Sequence, residues 1–171
     1  MENKSYLTNT AVEHLVQSIA HDIEKDNWRP DYIVGITRGG LVPANLLSQY
    51  LDVKMYSLDV CLRDHQCAMG PESNCWMSED ALDSKKILIV DDINDSGATL
   101  QWIVDDWKRS NRPHSPEWKN VFGDNVRVAS LVNKTSSDFK KVTYVGKTID
   151  KDEDDAWIVF PWEKWWTDKP E

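Results

Sequence analysis

Ile87-Leu88-Ile89-Val90-Asp91-Asp92-Ile93-Asn94-Asp95-Ser96-Gly97-Ala98-Thr99-Leu100 decides how the rest of the chain is read. With Lys86 ahead of it, the apolar run is the strongest strand signal in the sequence. A short continuous run of this kind is the pattern of a strand buried on both faces. Asp91-Asp92 is expected to end that strand. A small-residue turn follows, and behind it Leu100, Ile103, Val104 and Trp107 mark a helix. Ser96, Gly97, Ala98 and Thr99 leave backbone N–H groups accessible and add the hydroxyls of Ser96 and Thr99. Amides at a helix start form an anion site, and phosphate is the common guest. Carboxylates beside such a site make sense with a divalent cation or sugar hydroxyls, since Asp oxygens bind Mg²⁺ and accept hydrogen bonds from a ribose diol. The plain alternative, a strand–turn–helix with acidic capping residues, suits two carboxylates better than the whole string.

Working outward, the same alternation repeats. Thr10 and Glu13 form a capping-box pattern, and Val12, Leu15, Val16, Ile19, Ala20 and Ile23 give an amphipathic helix over about 10–25. Tyr32 to Ile36 reads as a buried strand. Pro43 suits the first turn of a helix that Ala44, Leu46, Leu47 and Leu51 continue, and Val53 to Leu58 reads as a strand. Residues 61–84 are polar without periodicity, a long loop of the functional kind. Residues 111–125 read as a polar connection, and Val126–Val132 and Val142–Val145 as two further strands. Strands alternating with helices predict an α/β fold with a mostly parallel sheet. In such sheets ligands sit beyond the carboxyl ends of the strands.

Two more constellations fall at such ends. Val34-Gly35-Ile36-Thr37-Arg38-Gly39-Gly40-Leu41-Val42-Pro43 turns from strand to helix through paired glycines, which let backbone approach a ligand closely. Leu131-Val132-Asn133-Lys134 ends a strand with a cation, and Asp155-Ala156-Trp157-Ile158-Val159-Phe160-Pro161-Trp162 follows. An indole stacks on a planar base, and an ammonium donates to an exocyclic carbonyl. Each alone also reads plainly, as a strand–helix turn, a solvated Lys and core tryptophans.

The composition narrows the classes. The chain has 171 residues, 40% hydrophobic and 29% charged, which fits one domain with a real core and argues against disorder. A formal net charge of −9 disfavours a nucleic-acid face. No apolar stretch is long enough to span a bilayer, and the N-terminus carries no leader pattern. Three cysteines point to a reducing compartment, hence a cytoplasmic protein. Cys61, Cys67 and Cys75 fit no common zinc spacing. The acidic run from Asp150 to Asp155 reads as a solvated loop. Nine tryptophans are unusual, and the Trp165-Trp166 tail is expected to pack on a neighbouring subunit.

Together the three constellations resemble the type I phosphoribosyltransferases, and among them the bacterial xanthine-guanine (6-oxopurine) enzymes, over roughly residues 30–163. The acidic string looks like the family's phosphoribosyl-pyrophosphate (PRPP) motif, with Ser96 where Thr is usual. The resemblance implies one domain over 1–171, a mostly parallel twisted sheet flanked by helices, and a small C-terminal hood over roughly 134–165. It implies PRPP binding by Thr37, Arg38, Gly39, Asp91, Asp92, Asp95, Ser96, Gly97, Ala98 and Thr99, with a cis Thr37–Arg38 peptide. Mg²⁺ would be held at Asp92. Asp95 would approach purine N7 as general acid or base. Lys134, Trp157 and Ile158 would hold the base, Lys134 at its 6-oxo group. The loop after Cys61 would close over PRPP. The implied activity is transfer of the phosphoribosyl group of PRPP to guanine, xanthine or hypoxanthine, releasing pyrophosphate, in purine salvage. The implied partners are those substrates and further copies of the chain, as dimer or tetramer, with no nucleic acid or membrane. The alternative is a PRPP-binding regulator or a non-catalytic homologue of these transferases. A winged helix has no room in the thirty or so residues ahead of the first motif.

Overall fold

The computed structural model describes residues 3–60, 75–150 and 156–167. Its centre is a five-stranded parallel sheet in the order β3-β2-β4-β5-β6. These strands are β2 (Tyr32–Ile36), β3 (Met55–Leu58), β4 (Ile87–Asn94), β5 (Val126–Lys134) and β6 (Tyr144–Ile149). Helices α1 (Asn9–Lys25) and α2 (Leu41–Leu51) cover one face. Helices α3 (Cys75–Leu82), α4 (Ala98–Ser110) and α5 (Trp118–Val121) cover the other.

The apolar runs explain this burial. Successive side chains on a strand point to opposite faces, so Ile33, Leu88, Val90, Ala129 and Leu131 pack with α1 and α2. Val34, Ile36, Ile87, Ile89, Val126 and Val128 pack with α3, α4 and α5 around the fully buried Trp107. A strand covered on both faces must be apolar at every position, which is why β2 and the first half of β4 read as unbroken runs.

Several elements differ from expectation, each for a local reason. The strand expected to stop at Asp91-Asp92 runs on to Asn94, because β5 continues beside it through Asn94↔Asn133, beyond its last pair with β2 at Gly35↔Val90. The first helix is capped by Thr8, whose Oγ1 accepts from Ala11 N–H at 3.1 Å, rather than by Thr10. The stretch expected to be a loop over 61–84 contains α3, anchored by the buried Met77, Ser78, Ala81 and Leu82. Within the 111–125 connection, Trp118 and Val121 bury a single helical turn, α5. The last strand of the sheet is Tyr144–Ile149 rather than Val142–Val145.

A second sheet pairs β1 (Lys4–Tyr6) with β7 (Trp157–Val159) in parallel, with Lys4↔Trp157 and Tyr6↔Val159 in register. The C-terminal strand therefore pairs with an N-terminal one, a partner the C-terminal motif did not announce. Trp157 N–H donates to Asn3 O at 2.8 Å and Leu7 N–H to Val159 O at 3.0 Å. Ile158 and Phe160 fasten this ribbon to the α1–α2 side of the core.

Candidate active site

Parallel strands aim their carboxyl ends at one edge, and there the chain forms a cleft of about 1220 Å³. All the residues singled out for PRPP and the base line it: Thr37, Arg38, Gly39, Asp91, Asp92, Asp95 to Thr99, Lys134, Trp157 and Ile158. The sequence reading passed over Asp59 and Glu163, which line it too. The signal for Asp59 was its place just after an apolar strand; Glu163 carried none.

The acidic strand end is held from both sides. Alternation sends Asp91 toward the α4 face and Asp92 toward the α2 face. Asp92 lies against Gly39: a Cβ built at Gly39 would strike the Asp92 carboxylate. The loop between β2 and α2 and the end of β4 are thus one packed unit. Burial pushes the Asp92 carboxyl above its ordinary value; a hydrogen bond with Asp91 pulls it back, and the Glu163 charge adds to the rise. Asp92 N–H donates to Asp91 Oδ1 at 3.0 Å. No group of three or more His, Cys, Asp or Glu able to hold a metal occurs among the described residues.

Gly97 opens α4 in the left-handed conformation, with φ +86°. Its missing side chain matters twice, for φ and for space, because a Cβ there would meet Phe139 and Ser137. Ala98 N–H is met by Ser96 Oγ at 3.3 Å. Beneath this turn the buried Asn94 side chain donates to Asn133 Oδ1 at 2.8 Å and to Phe139 O at 3.0 Å, and accepts from Ser137 Oγ at 2.9 Å. This network ties the ends of β4 and β5 to the loop beyond, which fixes where Asp95 and Lys134 emerge.

Those two side chains meet. Lys134 Nζ lies 3.0 Å from Asp95 Oδ1, and their side chains are 15% and 35% exposed. A donor and an acceptor are therefore presented side by side at one wall of the cleft. On the hood, the expected aromatics take different parts. Trp162 stacks on Phe160 with centroids 4.9 Å apart and rings 12° from parallel, as support. Trp157 is 53% exposed and faces the cleft, so the core reading of this residue does not hold. The Ile158 side chain is committed to the core. Trp165 and Trp166 are exposed, with Trp166 lining the cleft. The Thr37–Arg38 peptide is cis, as the resemblance implied. The loop from Cys61 to residue 74 and the acidic residues 151–155 lie outside the described residues.

A mostly parallel sheet with helices on both faces is the phosphoribosyltransferase-like fold that the resemblance implied. Residues 2–165 match the phosphoribosyl transferase domain, and the chain belongs to that family. It is 31% identical over 138 residues to a xanthine-guanine phosphoribosyltransferase of Cereibacter sphaeroides, covering 80% of this chain and 70% of that protein. It is 25% identical over 197 residues to the hypoxanthine-guanine phosphoribosyltransferase of Saccharomyces cerevisiae, covering 94% of this chain and 86% of that one. The crystal structure of a purine phosphoribosyltransferase from Pyrococcus horikoshii superposes with a TM-score of 0.66 at 26% identity, over 93% of each chain. No helix among the described residues is long and apolar enough to cross a membrane.

Proposed function

We propose that this chain transfers the phosphoribosyl group of PRPP to a 6-oxopurine, guanine, xanthine or hypoxanthine, and releases pyrophosphate, as a purine-salvage enzyme. The observation that carries the reading is the Lys134–Asp95 pair beside the exposed Trp157, in the cleft that also holds the acidic strand end. A 6-oxopurine presents O6 as acceptor and N7 as the atom that gains or loses a proton, on one edge. Lys134 donates to O6, Asp95 holds or takes the proton at N7, and Trp157 stacks on the ring, a contact worth roughly 1–3 kcal/mol per base.

The backbone amides of residues 95–99 hold the 5′-phosphate at the start of α4. Asp91 and Asp92 accept hydrogen bonds from the ribose hydroxyls and place negative charge beside the sugar as it gains cationic character. The loop of Thr37, Arg38 and Gly39 receives the pyrophosphate. Asp92 would hold Mg²⁺, which when bound neutralises charge on the leaving group. The base is itself the nucleophile, so no Ser, Cys or Lys nucleophile is needed. The same reading carries a cytoplasmic homo-oligomer, a dimer or tetramer.

The test is incubation of the purified protein with PRPP, Mg²⁺ and a panel of nucleobases, following nucleotide formation and pyrophosphate release. Guanine, xanthine or hypoxanthine should be converted far better than adenine. PRPP binding without turnover of any base would replace this reading with that of a PRPP-binding regulator. Preferential use of adenine would remove the role given to Lys134.

A further inference from the structure

Two carboxylates in the cleft, Asp59 and Glu163, have no part in the chemistry above, and Asp59 is the one bonded to the loop over residues 37–40. Asp59 directly follows β3, and β3 pairs with β2 up to Ile36↔Leu58. The next residue of each strand, Thr37 and Asp59, therefore emerges at the same rim. Thr37 sends both of its donors to that end of β3: its N–H to Leu58 O at 2.9 Å, and its Oγ1–H to Asp59 Oδ1 at 2.7 Å.

This arrangement bears on what Thr37 can do. A hydroxyl has one hydrogen to donate. Donated to Asp59, it is not offered to an anion in the cleft, and the Oγ1 lone pairs attract no phosphate oxygen. Thr37 is thus an anchor, and with Gly40 N–H donated to Ile36 O at 2.9 Å the anion contacts of this loop fall to the main chain at Arg38 and Gly39 and to the Arg38 side chain. A carboxylate lining a pocket for an anionic group opposes binding by its charge, so a compensating service explains its place. We propose that Asp59 is a positioning residue: it clamps the Thr37 hydroxyl and so holds the loop over residues 37–40 in the shape that receives pyrophosphate. The proposal rests on the phosphoribosyl-transfer reading and adds a residue that the reading does not use.

The experiment measures PRPP and base KM, kcat and melting temperature for Asp59→Ala, Asp59→Asn, Thr37→Val and the double variant Asp59→Ala/Thr37→Val. It adds calorimetric titration of each with pyrophosphate in the presence of Mg²⁺. A hydrogen bond to a charged acceptor predicts a rise in PRPP KM of about tenfold for Asp59→Ala, with base KM and melting temperature unchanged. Asp59→Asn keeps an acceptor oxygen and should return PRPP KM close to that of the wild type. Thr37→Val should match Asp59→Ala, and the double variant should be no worse than either, because all three remove one interaction. An unchanged PRPP KM in Asp59→Ala, an Asp59→Asn as impaired as Asp59→Ala, or additive losses in the double variant would each overturn the clamp. If the wild type turns over normally in that case, the clamp alone fails. A wild type that neither turns over nor binds pyrophosphate fails the functional reading and the clamp with it.

Discussion

Gly39→Ala should damage the site while sparing the fold. The three atoms nearest to a Cβ at Gly39 all belong to the Asp92 carboxylate, the end of a short side chain that can rotate away. Overpacking of this kind costs roughly 1–3 kcal/mol. If the strain is relieved by turning Asp92 aside, it is felt when PRPP and its cation need that carboxylate. At about 1.4 kcal/mol per factor of ten, PRPP KM should rise between about fivefold and a hundredfold. Gly40→Ala is the control. Its Cβ would meet main-chain atoms, the Val90 carbonyl oxygen together with Ile36 O at 2.8 Å and Ile36 N at 2.9 Å. Backbone in the middle of a parallel sheet cannot step aside, so that variant should lose stability, at roughly 2–4 °C per kcal/mol for a chain of this size. The assay is a thermal melt of both variants alongside PRPP kinetics at saturating base. A Gly39→Ala protein with wild-type PRPP KM, or one that melts as low as Gly40→Ala, refutes the packing argument.

Four further outcomes are expected. Because burial raises the Asp92 carboxyl above its ordinary 3.8, its favourable contribution is complete below that value and is lost as pH rises through the folded-state value. Asp92→Asn should therefore melt above the wild type at neutral pH in chelator, with the gap closing as pH falls; a gap that widens toward acid contradicts this. Gly97→Val forces a β-branched residue to positive φ against Phe139, so PRPP affinity by calorimetry with Mg²⁺ should fall; equal affinity would move the phosphate site elsewhere. Trp157→Ala should raise KM for every purine by a similar factor, whereas Lys134→Ala should erode the preference for 6-oxo bases and, by removing the cation paired with Asp95, lower kcat as well. Chelation of Mg²⁺ should abolish measurable PRPP binding, as read by calorimetry; undiminished binding in chelator would remove the cation from substrate recognition.

What could be read in the sequence tracks how local the cause is. Tyr32–Ile36 and the start of Ile87–Asn94 were legible because burial on both faces forces apolar residues at consecutive positions. The site residues were legible as strand-end motifs, and the fold brings them to one cleft. Lys4–Tyr6 was not legible: three residues with no apolar alternation become a strand only because Trp157–Val159 lies alongside. Helix α3 was missed because its buried positions include Ser78 and Ala81, which carry little hydrophobic signal. The Lys134–Asp95 contact joins the last residue of β5 to the residue just past β4, and no spacing in sequence announces it. Asp59 was passed over because its partner Thr37 is fixed by pairing of β2 with β3, a contact between distant positions.

The balance of charge in the cleft explains why so much of the site is backbone. Asp59, Asp91, Asp92, Asp95 and Glu163 line it against the cations Arg38, Lys134 and Lys164, in a chain whose net charge is −9. The summed side-chain charge alone would repel PRPP. Lys134 is engaged with Asp95 and offers little net charge to a phosphate. What remains to attract anions is Arg38 and neutral backbone: the amides at the start of α4 and the main chain at Arg38 and Gly39, since Thr37 N–H and Gly40 N–H are donated to Leu58 O and Ile36 O. Amides bind anions without placing a full positive charge beside the sugar as it becomes cationic. On the proposed reading the carboxylates can then serve the stage at which the glycosidic carbon is positive, and a divalent cation held at Asp92 would offset their repulsion of PRPP. An all-cationic cleft would hold PRPP more tightly in its ground state and would stabilise the developing sugar cation less, which is the wrong difference for catalysis.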